Sequence, residues 1–391
     1  MRERKQGLGL ARAVIGAIAL VAGAAVGLAG PAGGAPRATA PAVAHLNHVF
    51  VIVLENENAD STFGANTAAP YLAQQLRRQG AFLPNYYAIA HESLPNYIAM
   101  VSGQAPNTQT QSDCQIYTNF APGTPTSDRQ FRGAGCVYPK PVVTVANQLE
   151  DSGHTWKGYM DGMNGKAPPG ADIRCRHPAI NAQDDTQTAE VGDQYAARHN
   201  PFVYFHRIID SPTCAAHDVG YTHFGPDLRT KQTTPDYSFI TPNLCHDGHD
   251  SPCVSGEPGG LETADKWLQQ NVPPILRSPA FGDRGLLIVT FDEAEGQGSA
   301  ADSSACCNEQ PGPNLVPPDT PGALTPGPGG GRVGAVLLSP CIRPGTVDTT
   351  PYNHYSLLRS IERNWHLPYL GYAGQQGLVP LGPKTLDRPG C

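Results

Sequence analysis

A serine, two acidic clusters and several histidines are the residues of this 391-residue chain whose types and spacing could do chemistry. Ser93 lies in His91-Glu92-Ser93-Leu94-Pro95-Asn96-Tyr97, where a helix is expected to begin, with Asn96 three residues on. A serine hydroxyl is a poor nucleophile at neutral pH and needs a base or a metal ion that favours the alkoxide. Glu55 with Asn56, and Asp292 with Glu293, supply hard oxygen donors that suit Mg²⁺, Ca²⁺ or Mn²⁺, with Zn²⁺ also admitted. Cys245-His246-Asp247-Gly248-His249-Asp250 is a third concentration of ligand types, where a second ion or a proton donor to a leaving group could sit. His354 follows Asn353, and His91, His199 and His206 are weaker candidates that a fold can equally use as packed or solvated residues. No Gly-x-Ser-x-Gly surrounds Ser93, so an esterase elbow is not indicated. A serine capping a helix that starts at Leu94 would face free N–H groups and partial positive charge, which suit a phosphate. Asn96 could then donate its amide to a phosphate oxygen, although the pattern also describes a plain capping serine.

The elements that must position these groups alternate between strand and helix. His48-Val49-Phe50-Val51-Ile52-Val53-Leu54 and Gly285-Leu286-Leu287-Ile288-Val289-Thr290-Phe291 are continuous, short and β-rich, the pattern of strands buried on both faces. Tyr237 to Thr241, Thr155 to Met160, Ala81 to Tyr87 and Arg332 to Leu338 read as further strands. Helices are expected over Tyr71–Gln79, Leu94–Val101 and Val142–Asp151, closed by Gly80, Gly103 and Gly153, and over His354–Trp365. Leu261–Arg277 reads as a long helix interrupted at Pro273-Pro274. The alternation predicts an α/β fold, a mainly parallel central sheet with helices on both faces. In such sheets ligands bind beyond the carboxyl ends of the strands, which brings Glu55-Asn56, Asp247 with His249, and Asp292-Glu293 to one rim if their strands run parallel.

With a net charge of −7 and no basic tract, nothing points to a nucleic-acid partner. Residues 1–44 read as a signal peptide and Ala/Pro-rich leader: Arg2, Arg4, Lys5 and Arg12 precede an apolar run from Ala13 to Ala29, then small-residue cleavage sites. A retained anchor is the alternative; no later run is long enough to span a bilayer. Residues 45–391 read as a single catalytic domain, expected to be a secreted monomer. Ten cysteines fit export, with Cys114–Cys136 and Cys245–Cys253 as local disulfide pairs pinning long loops and Cys306-Cys307 as ends of two separate bridges. Glu309 to Gly331 reads as a long surface loop.

Four stretches, Val53-Leu54-Glu55-Asn56, His91 to Tyr97 with Ser102-Gly103, Thr290-Phe291-Asp292-Glu293, and Tyr352-Asn353-His354-Tyr355-Ser356-Leu357-Leu358-Arg359, resemble the phosphoesterase family that holds bacterial acid phosphatases and phospholipases C. Thr241 to Asp250 resembles its family counterpart, and the likeness covers about His48 to Leu370. The resemblance implies an alkaline-phosphatase-like fold. It implies that Glu55, Asn56, Asp292 and Glu293 bind one divalent metal, that Ser93 is both ligand and nucleophile, and that Asn96 contacts the phosphoryl group. Asp247, His249 and His354 fall where two-metal relatives place a second ion. Phospholipase C members carry Glu-Asn-Arg-Ser-Phe-Asp where this chain has Glu55-Asn56-Glu57-Asn58-Ala59-Asp60. They also carry Asp-His soon after the acid pair, where Glu295 to Asn308 holds no histidine.

Both departures favour an acid-phosphatase-type phosphomonoesterase working through a phosphoserine, with His249, His354 or His91 protonating the leaving group. A phospholipase C or other phosphodiesterase is the runner-up. Two non-catalytic alternatives are a secreted binding protein on the same fold and a metal-stabilised structural protein.

Overall fold

The computed structural model describes residues 45–315, 329–382 and 385–386; the expected leader and the middle of the Pro/Gly-rich loop lie outside them. Eight strands form one sheet in the order Thr346–Val347, Ala81–Leu83, Ala335–Leu338, Gly285–Phe291, His48–Leu54, Tyr237–Thr241, Trp156–Met160, Asp218–Gly220. The three that carry the acidic groups are parallel: Val51 registers with Ile288 on one side and Phe239 on the other. All seven residues of His48–Leu54 and of Gly285–Phe291 are buried, as their unbroken apolar runs require of strands covered on both faces. Each buried Val, Leu, Ile or Phe there contributes roughly 1.5–3 kcal/mol of apolar transfer.

Ala335–Leu338 alone reverses direction, pairing antiparallel with both Gly285–Phe291 and Ala81–Leu83. It starts three residues later than expected, after Arg332 to Gly334. The run from Ala81 to Tyr87 breaks at Pro84 into Ala81–Leu83 and a short Tyr86–Tyr87 ladder with Tyr352–Asn353, because proline cannot donate to a ladder.

The helix expected to break at Pro273-Pro274 runs unbroken over Gly260–Arg277. Its inward face, Leu261, Ala264, Leu268, Val272 and Ile275, keeps helical spacing across the prolines. The carbonyls the prolines leave unpaired belong to Gln269 and Gln270, both exposed to water. Tyr71 to Gln79 is helical as expected but begins with a wide π turn over Tyr71–Leu76. His354–Asn364 is capped by Asn353 and Ser356, each side chain bonding the other's backbone N–H.

Cys114–Cys136 and Cys245–Cys253 are bonded as the spacing suggested, and Cys175–Cys214 closes a third loop. Cys306 and Cys307 bond to each other rather than ending separate bridges. Among the described residues no helix is long and apolar enough to cross a membrane.

Candidate active site

The three central strands deliver their exits to one rim, and backbone bonds lock the exits together. Asp292 N donates to Leu54 O at 2.8 Å, Glu55 N to Asp247 O at 2.9 Å, and Glu57 N to Glu293 O at 3.2 Å. Glu55, Asp247 and Asp292 are each no more than 1% exposed. They are joined by His199, at the end of the short helical turn Ala197–His199. Its Nε2 lies 2.6 Å from Glu55 Oε1 and its Nδ1 3.8 Å from Asp247 Oδ2. The ligand atoms of Glu55, His199 and Asp247 all lie within 4.8 Å of one another.

Asp292 Oδ1 accepts the N–H groups of Asn56, at 3.2 Å, and of Glu293, at 2.6 Å. Among the described residues, Glu55 Oε1, Asn56 Oδ1, His199 Nε2, Asp247 Oδ2 and Asp292 Oδ2 are buried and make no hydrogen bond, apart from the 2.6 Å approach of His199 to Glu55. Each orphan of this kind costs about 1–3 kcal/mol unless something else satisfies it. Burial, with the charge of Glu55 added, pushes the Asp247 and Asp292 carboxyls well above their ordinary range. Burial opposes ionisation of Glu55 too, but His199, Arg198 and His249 outweigh it and hold that carboxyl at about 2. Buried carboxylates, an amide oxygen and an imidazole nitrogen with unclaimed lone pairs fit a divalent cation by the chemistry of the donor set.

The helix Ser93–Ser102 packs against this cluster. Ser93 is its first helical residue, one earlier than expected. The cap position falls on Glu92, held at φ +68° with no side-chain cap bond. Leu94 N–H is capped instead from a distance, by Asp113 Oδ1 at 2.9 Å. One turn on, the Tyr97 ring stacks on the His199 imidazole with centroids 5.3 Å apart. Two residues before Ser93, His91 Nδ1 meets Glu293 Oε2 at 2.5 Å and Nε2 meets Ser303 Oγ at 2.9 Å. Ser93 is thus flanked by one side chain bound to the acid pair and another bound to the ion-ready histidine. It is itself 4% exposed.

Several expected roles shift. Glu293 turns to His91 rather than toward the orphaned atoms, and burial raises its carboxyl while lowering the His91 imidazole. Asn96 spends its amide on the preceding loop: Oδ1 accepts Ile89 N and Ala90 N, and Nδ2 donates to Ala90 O and Glu92 O. With every donor and acceptor engaged, it shapes the turn that presents Ser93 instead of offering a donor to phosphate. His354 is fully buried between the Asp292 carbonyl and Tyr86. His249 stands half exposed, and its contact with Asp250 raises the imidazole to about 9, so it is a cation at neutral pH. His206 pairs with Asp210 and Asn119 and takes no part in the cluster.

Comparison with known proteins places the chain in a family. The chain is 27% identical over 325 residues to a probable acid phosphatase of Kluyveromyces lactis, covering 82% of this chain and 59% of that protein. It is 26% identical over 328 residues to an acid phosphatase of Aspergillus fumigatus, covering 83% and 56%. It is 24% identical over 326 residues to a phosphatidylinositol-3-phosphatase of Mycobacterium tuberculosis, covering 83% and 79%. The chain spans less than two thirds of the fungal relatives' length. Among solved structures, a protein of the alkaline phosphatase superfamily from Vibrio parahaemolyticus superposes with a TM-score of 0.47 at 13% identity, covering 89% of this chain and 70% of that one. The family model described as the Phosphoesterase family matches residues 65–368, most of the chain, and the chain belongs to that family.

Proposed function

We propose that this chain is a metal-dependent phosphomonoesterase in which Ser93 is the nucleophile. The observation that carries the reading is the set of orphaned, buried ligand atoms on Glu55, Asn56, His199, Asp247 and Asp292, with the Ser93 helix packed against it. A bound divalent cation would favour ionisation of the serine hydroxyl and neutralise charge on the phosphoryl oxygens. His199 makes the donor set mixed nitrogen and oxygen, which suits Zn²⁺ or Mn²⁺ better than Ca²⁺ or Mg²⁺.

In the proposed reaction the Ser93 hydroxyl gives up its proton to solvent, and Oγ forms a bond to phosphorus as the bond to the departing alcohol breaks on the opposite side. His249, charged and open to solvent at the rim, donates a proton to the leaving oxygen. Water then displaces Ser93 Oγ from phosphorus, giving one proton to neutral His249, while Oγ regains a proton from solvent and inorganic phosphate leaves. Asn96 and the Glu92 backbone hold Ser93 at the start of its helix. The names of the relatives, acid phosphatases and a phosphatidylinositol-3-phosphatase, support a monoester substrate over the diester of a phospholipase C. Disulfides closing three loops, at sequence separations of 22, 39 and 8, are consistent with an oxidising, extracytoplasmic location.

The test is Ser93→Ala assayed on p-nitrophenyl phosphate beside bis-p-nitrophenyl phosphate and phosphatidylcholine, with bound metal measured in parallel. The variant is expected to keep its metal and lose at least about a thousandfold in kcat, as loss of a covalent nucleophile does. Undiminished turnover refutes the nucleophile; a wild-type preference for either diester refutes the monoesterase.

A further inference from the structure

We infer that Asp113 and Arg198 form a positioning pair that fixes the distance between Ser93 and the acidic cluster. The inference rests on the reading of Ser93 as nucleophile. Helices usually take their cap from the residue just before them, and the first N–H groups go unpaired otherwise. Here that residue, Glu92, is twisted to φ +68° and contributes no cap bond. The cap comes from Asp113, whose Oδ1 takes the N–H of Leu94, next to Ser93. A distal cap of this kind leaves the backbone before Ser93 free to make its sharp turn.

Asp113 is itself held from several sides. Its backbone is left-handed at φ +50°, its carbonyl accepts Gln187 Nε2 at 2.7 Å, and its neighbour Cys114 is bonded to Cys136. Its second carboxyl oxygen, Oδ2, lies 3.4 Å from Arg198 Nε. Arg198 is 9% exposed and donates from Nη1 to Gln187 O at 3.0 Å, so both members lean on one residue. A buried carboxylate and a buried guanidinium are each costly alone and are tolerated as a pair.

The pair's other end is covalent. The residue after Arg198 is His199, 2.6 Å from Glu55 and stacked on Tyr97 of the serine helix. The path Leu94–Asp113–Arg198–His199–Glu55 therefore spans from the nucleophile's neighbour to the ion-ready carboxylate through side chains that are all buried. Misplacement of a reacting group by about 1 Å can cost on the order of a hundredfold in rate.

The experiment compares Asp113→Asn, Arg198→Met, Arg198→Lys and the double variant Asp113→Asn/Arg198→Met in the full chain. It measures kcat and KM on p-nitrophenyl phosphate, inhibition by inorganic phosphate, bound metal, and the thermal midpoint. Either Asp113→Asn or Arg198→Met is expected to lower kcat by about 10- to 100-fold with KM, phosphate inhibition and metal content within about twofold of wild type. The double variant is expected to lose no more than the worse single, because one unit is broken only once. Arg198→Lys keeps the charge without the planar fork and is expected to recover part of kcat. If Arg198→Met fails to fold, Arg198→Lys and Asp113→Asn carry the same comparison.

A wild-type kcat in folded Asp113→Asn and Arg198→Lys overturns the pair. A tenfold rise in both KM and the phosphate inhibition constant for the Arg198 variants also overturns it, since Arg198 would then touch the phosphoryl group. A wild-type chain inactive on every phosphoester removes the underlying reading instead, which sets that failure apart from the other two.

Discussion

His354 Nε2 lies 2.5 Å from the carbonyl oxygen of Asp292, and its Nδ1 lies 3.1 Å from the hydroxyl of Tyr86. A carbonyl can only accept, so Nε2 carries the hydrogen and Nδ1 takes the one on Tyr86. Burial lowers this imidazole to about 4, against a smaller opposing effect of the Asp292 carbonyl, which keeps it neutral. His354 therefore fixes the backbone of a candidate ligand and is not placed to protonate a leaving group. His354→Ala is expected to weaken metal binding by roughly 10- to 100-fold, as loss of an outer partner does, without moving the basic limb of the kcat profile. Metal titration of the chelator-treated variant, with a pH series at saturating metal, checks both parts.

Stripping the metal should act on stability as well as turnover. A ligand that binds only the folded state at 100 times its Kd adds about 2.7 kcal/mol. Treatment with a chelator is expected to abolish hydrolysis and lower the thermal midpoint, and re-addition of a divalent ion to restore both. His199→Ala is expected to cost more affinity for Zn²⁺ than for Mg²⁺, because it removes the nitrogen donor. Equal losses for the two ions would remove His199 from the ligand set.

Asp218, bonded to the residue after His199, gives a pH dependence of stability. Its side chain is fully buried, its Oδ2 accepts Asn200 Nδ2 at 2.9 Å, and Oδ1 has no hydrogen-bond partner among the described residues. Burial outweighs that bond and pushes the carboxyl from 3.8 up to about 7. With the folded value raised, this residue's stabilisation is complete below pH 3.8 and lost as the pH climbs through 7. Asp218→Asn is expected to match wild type near pH 4 and to exceed it at pH 8 by up to roughly 4 kcal/mol, the equivalent of such a shift. Urea midpoints at pH 4.5, 6 and 8 read this directly.

Asp265 offers a test of scaffold alone. It is 2% exposed and takes the N–H of Tyr71 on Oδ2, at 3.0 Å, and of Leu72 on Oδ1, at 2.9 Å, tying the start of one helix to the side of Gly260–Arg277. Asp265→Ala is expected to leave two buried N–H groups unpaired and to cost roughly 2–4 kcal/mol. Its kcat on p-nitrophenyl phosphate should stay at the wild-type value in the folded protein. Chemical denaturation and a standard assay separate the two effects.

The parts of this molecule that follow from local chemistry could be read along the chain. The strands His48–Leu54 and Gly285–Phe291 advertise themselves by unbroken apolar runs, and Gly103 closes its helix at φ +68° as a left-handed cap. The convergence of Glu55, Asp247 and Asp292 follows from parallel strands ending together. His199, a weaker candidate along the chain, and Asp113, which no sequence pattern singles out, carry little local signal. Each sits in a short turn with no periodic pattern, and each matters only through partners 100 or more residues, or one helix, away. Asn96 shows the opposite difficulty: its type and spacing suit phosphate, but the loop from Ile89 to Glu92 claims its amide first. The double proline was misleading because sequence does not reveal which carbonyls face water.

The single reversed strand has a consequence for how such a protein can diversify. Because Ala335–Leu338 runs opposite to Gly285–Phe291, the connection between them leaves and re-enters the sheet on the same side, where Ala294 N bonds Gly330 O and Gly331 packs at φ +84° against Ala294. His91, two residues before Ser93, meets Ser303 of that connection, so a change in its length is felt beside Ser93 while the paired strands keep their register. Change at this rim can therefore enter by insertion and deletion, leaving the sheet that carries the acidic groups as it is.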